Sequence, residues 1–172
     1  MGNELHIVSF DIPVPTNYGG AIDVFYKLKA LAGEGIRIHL HCFQYGREPS
    51  PLLEQICEKV SYYSRDIAKT KLFNRRPYIV ATRTSPELLK NLLADDHPVL
   101  LEGIHSCYYL EKPQLRRRRV VVRTHNIEHD YYNSLAKVER NIFKRYYFFN
   151  EASKLERYEQ VLHRAFGIAA IS

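Results

Sequence analysis

The sequence predicts an α/β domain built on a doubly wound, parallel sheet. Two observations predict it: short apolar runs alternate with segments of helical spacing, and a strand, a helix and a second strand fit into roughly the first 40 residues. Such a βαβ unit needs a parallel strand pair with a right-handed crossover. The chain has 172 residues, of which 45% are hydrophobic and 26% charged, so we expect one domain over residues 1–172 with its own core.

The first βαβ unit is the clearest part of the pattern. Residues 5–10 form an apolar run typical of a buried strand, and a loop rich in proline and glycine follows over 11–20. We expect Gly33 and Gly35 to end the next helix, and residues 36–43 alternate between apolar and polar types as strands do. The apolar stripe of that helix consists of Ala21, Val24, Phe25, Leu28 and Leu31.

The middle of the chain repeats the pattern less clearly. Residues 51–59 indicate a helix and 60–63 a short strand, whereas 65–84 contain no decisive periodicity. Ser85 predicts the start of another helix, because its hydroxyl can cap the helix and Pro86 suits the first helical position.

The remaining elements follow from apolar runs and one long helical pattern. Residues 98–102 and 120–122 are predicted to be buried strands. Apolar spacing is helical from 131 to 166, which is long for one globular helix, so we expect a bend or break near 149–150. Residues 167–171 predict one further strand.

Composition excludes several classes of protein. No apolar run approaches the roughly 20 residues that a membrane span needs, and the first residues lack the basic and apolar regions of a signal peptide. The cysteines, Cys42, Cys57 and Cys107, form no C-x-x-C pair. They are expected to be free thiols in a reducing compartment, which predicts a cytoplasmic protein without a cysteine-based zinc site.

The net charge of +6 and the pI near 9.2 favour anionic partners. Arg116–Arg119 and the tyrosines near them leave open a basic nucleic-acid-binding module, because basic residues with aromatics bind single strands. Residues 144–149 combine basic and aromatic side chains and leave open a peripheral contact with an anionic bilayer, at the inner face of the membrane. Packing of their apolar side chains on the sheet is the favoured interpretation.

Three candidate ligand sites follow predicted strands, where open α/β sheets bind their ligands. Gly19 and Gly20 directly precede a helix, whose free N–H groups and dipole attract phosphate. Neither a G-x-G-x-x-G fingerprint nor a Walker sequence is present, which excludes dehydrogenase and P-loop interpretations. Glu102 ends a strand, where it could act on sugar hydroxyls, work as a base, cap a helix or form a structural ion pair.

The third site is the segment RTHNIEHDYY, residues 123–132. It contains H-x-x-E-H, the inverted zinc-peptidase pattern, so a zinc metallopeptidase using His125, Glu128 and His129 is an alternative function. Asn126 is a good helix N-cap, however, and the β-branched strand before it resists an earlier helix start. We therefore expect His125 to leave the strand toward a cleft and His129 to lie in a helix, turned elsewhere, with no metal bound.

Four segments together resemble the N-terminal half of the retaining GT-B glycosyltransferases of the family-four type. They occur in the order DIPVPTNYGGAIDVFYKLKALAGEGIRIHLHCF, LLEGIHS, RTHNIEHDYY and NEASKLERYEQVLHRAFGIAAIS, and cover nearly the whole chain. The resemblance implies a Rossmann-like, acceptor-side domain that faces a second, nucleotide-sugar-binding domain across a cleft. That C-terminal domain is absent from these 172 residues, so we expect no transferase activity from them alone.

The resemblance also implies roles for individual residues. Gly19 and Gly20 match a glycine loop that approaches the donor diphosphate and the transferred sugar, and His125 matches a histidine that reaches the donor sugar. The implied substrates are a nucleotide-diphosphate sugar and a glycan, lipid-linked or other acceptor; no cofactor, metal or nucleic acid is expected. The acceptor-side positions are Tyr18, Arg83, Glu102, Asn126 and Glu128.

Overall fold

A six-stranded sheet, all parallel, forms the centre of the protein. A computed structural model describes residues 3–170. The strand order is β3-β2-β1-β4-β5-β6, so the direction of winding reverses between β1 and β4. The predicted doubly wound, Rossmann-like sheet is confirmed. The strands are β1 (Glu4–Ser9), β2 (Arg37–Gln44), β3 (Lys59–Ser64), β4 (Val99–Glu102), β5 (Val120–Thr124) and β6 (Gly167–Ala170).

Helices cover both faces of the sheet. The α-helices are α1 (Gly19–Gly33), α2 (Pro51–Ile56), α3 (Tyr78–Ala81), α4 (Pro86–Leu92), α5 (Glu128–Val138) and α6 (Ile142–Tyr158). Short 3-10 helices lie at Lys69–Phe73, Ile104–Glu111, Pro113–Leu115 and Glu159–Arg164. Residues 65–84, which the sequence leaves undecided, thus contain a 3-10 turn and the one-turn helix α3.

The alternation of side chains along the strands separates two apolar cores. On one face, Ile7 and Leu40 pack against Val24 and Leu28 of α1. On the other face, strand residues pack against α4, the 3-10 helix 104–111 and the second half of α6; Leu155 of α6 belongs to this core. Each strand is therefore buried on both sides, as parallel sheets require.

Several local signals have the predicted effect. Helix α1 ends at Gly33, and Gly35 has a φ of 78°, a left-handed conformation that glycine adopts without a steric penalty. The Ser85 hydroxyl accepts a hydrogen bond from the Leu88 N–H at 3.1 Å, which caps α4, and Pro86 follows at its first position.

Two predictions about the helices after β5 are wrong. The residue that precedes α5 is Ile127, in extended conformation and without a side-chain cap, so Asn126 is not the N-cap. The predicted break near 149–150 lies instead at 139–141. There the Asn141 side chain accepts from the Lys144 N–H, and the Glu139 carboxylate accepts from the Asn141 N–H, so side chains replace the interrupted helical bonds.

The remaining compositional predictions concern cysteines, charge and membranes. All three cysteines are buried and unpaired. Arg118, in the middle of the basic run, is bonded to the Leu92 and His97 carbonyls and to the Asp95 carboxylate, so this part of the run is structural. Within residues 3–170, no helix is both long and apolar enough to cross a bilayer. The last predicted strand ends at Ala170, and residue 171 lies outside the described residues.

Candidate functional site

A cleft of about 530 Å³ opens at the carboxyl end of the sheet, beside the point where the strand order reverses. Open α/β sheets bind ligands at this position, because the loops after two neighbouring strands diverge there. The loop after β1 contributes Phe10 and Tyr18, the segment after β4 contributes His105, and the segment after β5 contributes His125. The structure therefore brings three separate parts of the chain to one cleft.

Gly19 and Gly20 form the first turn of α1 at the cleft wall. A Cβ atom on Gly20 would lie 2.8 Å from Cζ of Phe10 and 3.1 Å from Cε2 of Tyr18, so glycine is needed for this packing. A Cβ on Gly19 would meet nothing within 4 Å. Gly20 thus serves the fold, while Gly19 leaves space beside N–H groups that have no partner inside the helix.

Tyr18 lies at the mouth of the cleft and is tied to the loop before α1. Its hydroxyl donates to the Asp11 carboxylate at 3.1 Å, and the Arg47 guanidinium stacks over its ring at 4.8 Å. Burial, followed by the negative charge of Asp11, raises the pKa of Tyr18 to about 12. Tyr18 is therefore neutral at working pH, and its hydroxyl oxygen can still accept a hydrogen bond.

Glu102 is the last residue of β4 and is completely buried. One carboxylate oxygen accepts from Nζ of Lys27 at 2.6 Å, and the other accepts from Nε2 of His125 at 3.0 Å. A buried carboxylate without such partners would be strongly unfavourable. Both oxygens of the Glu102 carboxylate are therefore paired, and the bond to Nε2 fixes the orientation of the His125 ring.

Asp23 completes a network of charges with Glu102. Arg123 binds it through two nitrogens, at 3.0 and 2.8 Å, and Lys27 donates to it at 3.0 Å. Burial raises the pKa of Asp23, but the hydrogen bonds from Arg123 and Lys27 outweigh burial and lower the pKa to about 2. We call Asp23, Lys27, Glu102, Arg123 and His125 the rim cluster. Its two carboxylates face one ammonium and one guanidinium, so their charges balance.

The hydrogen bond to Glu102 decides which nitrogen of His125 carries a proton. An ionised carboxylate only accepts, so Nε2 must be protonated. The other nitrogen, Nδ1, is 3.8 Å from Oδ2 of Asp23, beyond hydrogen-bonding distance. Among residues 3–170, Nδ1 forms no hydrogen bond, so it remains free to accept a proton or to bind a substrate group.

The rim cluster also contains a set of ligand types that suits a metal ion. Atoms of Asp23, Glu102 and His125 lie within 4.8 Å of one another. The Lys27 ammonium, however, binds both carboxylates directly, and Arg123 binds Asp23. A metal would have to displace Lys27 from the two acids, so these residues fit a built-in cation better than a bound one.

Asn126 and Glu128 line the side of the cleft that begins α5. Glu128 is buried; burial raises the pKa of its carboxyl, while the Asn126 side chain opposes the increase. Tyr131, one turn further, also lines the cleft. This wall offers an amide, a hydroxyl and an acid that holds a proton more readily than usual, all of which can hydrogen-bond to hydroxyl groups.

Arg83 does not line the cleft. It is buried behind it, where Nε donates to the Phe10 carbonyl at 2.8 Å and Nη1 donates to the Ile79 carbonyl at 2.7 Å. Burial, with the nearby Arg65, lowers its pKa to about 9. The predicted acceptor-side residue therefore fixes the loop after β1. In that loop the Phe10 ring contacts His105 in a tilted arrangement, with 5.0 Å between centroids.

His105 lines the cleft and, within residues 3–170, has a buried ring nitrogen without a hydrogen-bond partner. Among the described residues, its Nδ1 is the buried side-chain atom that lacks a hydrogen-bond partner. Gly103, with a φ of 67°, permits this arrangement, because a Cβ there would lie 2.8 Å from that nitrogen. Burial and the positive charges of Arg83 and Arg65 lower the pKa of His105, so its ring is neutral.

His129 lies outside the cleft. Its Nδ1 hydrogen-bonds to the Glu159 carboxylate at 2.7 Å, and the Asp130 carboxylate is 3.5 Å from Nε2. Among residues 3–170, the converging group of metal-ligand types does not include Glu128 or His129. The two imidazoles of the H-x-x-E-H string bind different carboxylates and do not converge on one site.

Sequence patterns missed several residues of the site. Asp23 and Lys27 stand four residues apart on α1, a spacing that indicates a helix-surface pair and gives no sign of Glu102. Arg123 is the fourth residue of β5 and is paired with a residue 100 positions earlier. No recognised motif includes Phe10, His105 or Tyr131. Phe10 and His105 can be predicted to lie close together only because each follows a strand that ends at the same edge of the sheet.

The comparisons with known proteins give one informative relative. Models of known protein families produced no match. The chain is similar to an uncharacterized 44.6 kDa protein in the cps region of Klebsiella pneumoniae, at 30% identity over 155 residues. The alignment covers 86% of this chain and 40% of that protein, so the chain spans about two fifths of the relative's length.

Proposed function

We propose that this chain is the acceptor-side domain of a retaining GT-B glycosyltransferase, which moves a sugar from a nucleotide-diphosphate donor to a glycan, lipid-linked or other acceptor. One observation carries the proposal. His125, held by the buried Glu102, and the first turn of α1 at Gly19 line the same cleft at the switch point of the sheet. A histidine beside a helix N-terminus suits a departing diphosphate and the sugar attached to it.

Different walls of the cleft suit the phosphate, the transferred sugar and the acceptor. Gly19 leaves room for a phosphate oxygen near the free N–H groups of α1. Nδ1 of His125 can bind a hydroxyl of the transferred sugar, or hold a proton as charge develops on the leaving group. Asn126, Glu128 and Tyr18 face the same space with groups that recognise acceptor hydroxyls. The resemblance adds retention and a second, donor-binding domain.

The gene context of the relative is compatible with this role. A cps region carries genes for capsular polysaccharide, so its proteins include those that build and move glycans. In this proposal the chain works in cell-envelope polysaccharide synthesis in the cytoplasm. It needs the C-terminal domain for activity and uses neither a cofactor nor a metal.

A protein-observed NMR titration with nucleotide sugars tests the binding site directly. We expect millimolar binding that shifts the amide signals of Gly19 and Gly20 and the ring signals of His125, and leaves His129 unchanged. Binding should weaken in His125→Ala and persist in His129→Ala, a matched variant four residues away. Shifts confined to surfaces away from the cleft, or equal loss in both variants, would overturn the proposed site.

A transfer assay tests the activity once the chain is joined to a donor-binding domain. His125→Ala should lower kcat/KM by about 100-fold or more, since general acid–base or hydrogen-bonding contributions have that size. His129→Ala should retain activity. Full transfer by the His125 variant, with its fold verified by circular dichroism, contradicts the role given to His125.

A further inference from the structure

Helices α5 and α6 form a hairpin whose tip stands apart from the sheet. The two helices pack mainly on each other, and the rings of Tyr132 and Phe148 meet edge to face at 5.9 Å. The buried residues of α6 lie in its second half and include Ala152 and Leu155. With a rise of roughly 1.5 Å per residue, the end of α5 lies about 15 Å from its start at the cleft. The tip, residues 138–146, is therefore free to meet another surface.

The tip exposes a group of large apolar side chains. The exposed fractions are 76% for Val138, 70% for Ile142, 87% for Phe143 and 74% for Tyr146. All residues from 141 to 146 are exposed. Single exposed apolar residues are ordinary on protein surfaces, whereas a contiguous set indicates an interaction site.

The charges around this apolar group have one predominant sign. Residues 137–149 contain four basic residues and one acid. That acid, Glu139, accepts a hydrogen bond from the Asn141 N–H at 2.8 Å, so it is engaged within the turn. The basic residues, all exposed, are Lys137, Arg140, Lys144 and Arg145. The tip is thus apolar at its end and positive around it.

We propose that the hairpin tip docks on an anionic phospholipid surface. Apolar and aromatic side chains of this kind enter the region between headgroups and acyl chains, while lysine and arginine keep their charges at the phosphates. Each basic residue near an anionic surface strengthens binding roughly fivefold. Since α5 starts at the cleft, docking would hold the cleft about one hairpin length from the bilayer.

Charge decides against a second copy of the chain as the occupant. A two-fold contact would place the four basic residues of one tip against the same four residues of the other. Like charges facing each other oppose such a dimer, whereas lipid phosphates neutralise them. An acidic lipid surface satisfies both features of the tip at once.

Vesicle flotation tests the proposal with the purified protein. We expect binding to vesicles that contain phosphatidylglycerol, weaker binding as salt is raised, and none to pure phosphatidylcholine. Phe143→Ser should weaken binding on the order of tenfold through lost apolar burial. Lys144→Gln with Arg145→Gln should weaken it roughly 30-fold through lost charge.

Matched variants elsewhere on the surface provide the controls. Tyr26 is 59% exposed on α1, across the sheet from the hairpin, and Arg116 and Arg117 are an exposed basic pair. Tyr26→Ser and the double change Arg116→Gln with Arg117→Gln should bind vesicles as the unchanged protein does. Circular dichroism verifies that every variant is folded.

Three results would overturn the proposal. The first is no binding to anionic vesicles, and the second is an equal loss of vesicle binding in control and tip variants. The third is self-association or oligonucleotide binding that needs Phe143 while vesicle binding is absent. None of them bears on the proposed transferase site, because the cleft is lined by different residues. Failure of one proposal is therefore distinguishable from failure of the other.

Discussion

Two polar clusters lie within this fold, and they are stabilised in opposite ways. In the rim cluster at the cleft, two carboxylates are compensated by the ammonium of Lys27 and the guanidinium of Arg123. The second cluster is a chain of hydrogen bonds from Asn91 through Tyr63, His41 and His6 to Asp95, with distances of 2.8, 2.9, 2.8 and 3.0 Å. We call these five residues the histidine relay. It lies under α4, on the face of the sheet opposite to α1.

The relay is complete when both histidines are neutral. The Asn91 amide nitrogen can only donate, and the Asp95 carboxylate can only accept. Each member between them donates to the next, so Nδ1 of His41 accepts and its Nε2–H donates to Nδ1 of His6. Burial lowers the pKa of His6 and, with the positive charge of neighbouring histidines, lowers the pKa of His41 to about 3. A proton added to His41 would place a positive charge on a buried ring whose hydrogen-bond partners, His6 and Tyr63, are not acids.

The difference separates a structural cluster from a functional one. All four ring nitrogens of the two histidines and the Tyr63 hydroxyl are used within the relay, so none of these atoms is left for a ligand. In the rim cluster, Nδ1 of His125 forms no hydrogen bond to residues 3–170 and reaches a cleft. Catalysis or binding is expected where a polar network leaves a hydrogen-bonding atom without a partner next to a cleft.

The largest expected effect is on the rim cluster. Lys27→Met leaves the buried Glu102 carboxylate without its ammonium and should destabilise the protein by about 3 kcal/mol. Adding Glu102→Gln to that variant should recover most of the loss, because the unpaired charge is gone. Urea unfolding of the two single variants and the double variant measures this. If the losses of stability in the two single variants simply add in the double variant, Lys27 and Glu102 are not coupled. The contrast with the neutral relay would then fail.

Because the histidines of the relay are neutral, the stability of the fold should decrease as the pH falls. A histidine in the unfolded chain has a pKa near 6.5, whereas burial lowers the pKa of His41 in the fold to about 3. Between these values the unfolded chain binds more protons, so this contribution to stability is complete above 6.5 and decreases as the pH falls. From pH 7.5 to 5, His41 alone should account for roughly 2 kcal/mol of lost stability. His6 acts in the same direction, whereas the lowered pKa of Asp95 matters only at more acidic pH.

The variant His41→Gln isolates this effect. Its amide can accept from Tyr63 and donate to His6, so the relay persists without a titrating group at its centre. Unfolding measured at pH 7.5, 6 and 5 should show a shallower decrease than in the unchanged protein. The same slope in both proteins would contradict the neutral relay.

The fold was predictable from local sequence, whereas the two clusters were not. Residues 120–122 and Gly35 act through their own backbone preferences, so β5 and the end of α1 follow from the sequence. The position of His125 follows as well, because carboxyl ends of parallel strands meet at one edge. The partners Lys27 and Glu102 are 75 residues apart, and no pattern in the chain connects them.

The prediction errors at helix ends have the same origin. Asn126 and Asn141 are both suitable N-caps by residue type, yet only Asn141 accepts a backbone N–H of the following helix. At Asn126 the side chain lies against Glu128 instead, and Ile127 is the residue that precedes α5. The choice depends on contacts made elsewhere in the fold, which a one-dimensional pattern does not contain.

The adjacent glycines at the cleft should behave differently. Gly20→Ala forces its Cβ against the Phe10 ring, which can shift only partly, and should cost on the order of 1 kcal/mol. Gly19→Ala meets open space and should leave thermal stability nearly unchanged, while weakening nucleotide-sugar binding. Thermal unfolding with the NMR titration distinguishes the two. Destabilisation by Gly19→Ala equal to that of Gly20→Ala would show that both glycines serve packing alone.

The smallest effect is expected at His129, where the sign of the pH dependence is reversed. The hydrogen bond to Glu159 raises the pKa of His129, so its contribution is present below 6.5 and is lost as the pH rises through the raised value. Because both side chains are partly exposed and screened by water, His129→Gln should cost less than about 1 kcal/mol at pH 6 and nothing at pH 9. Added salt should shrink the difference. If the variant instead lost stability at pH 9, the hydrogen bond would not depend on the histidine charge.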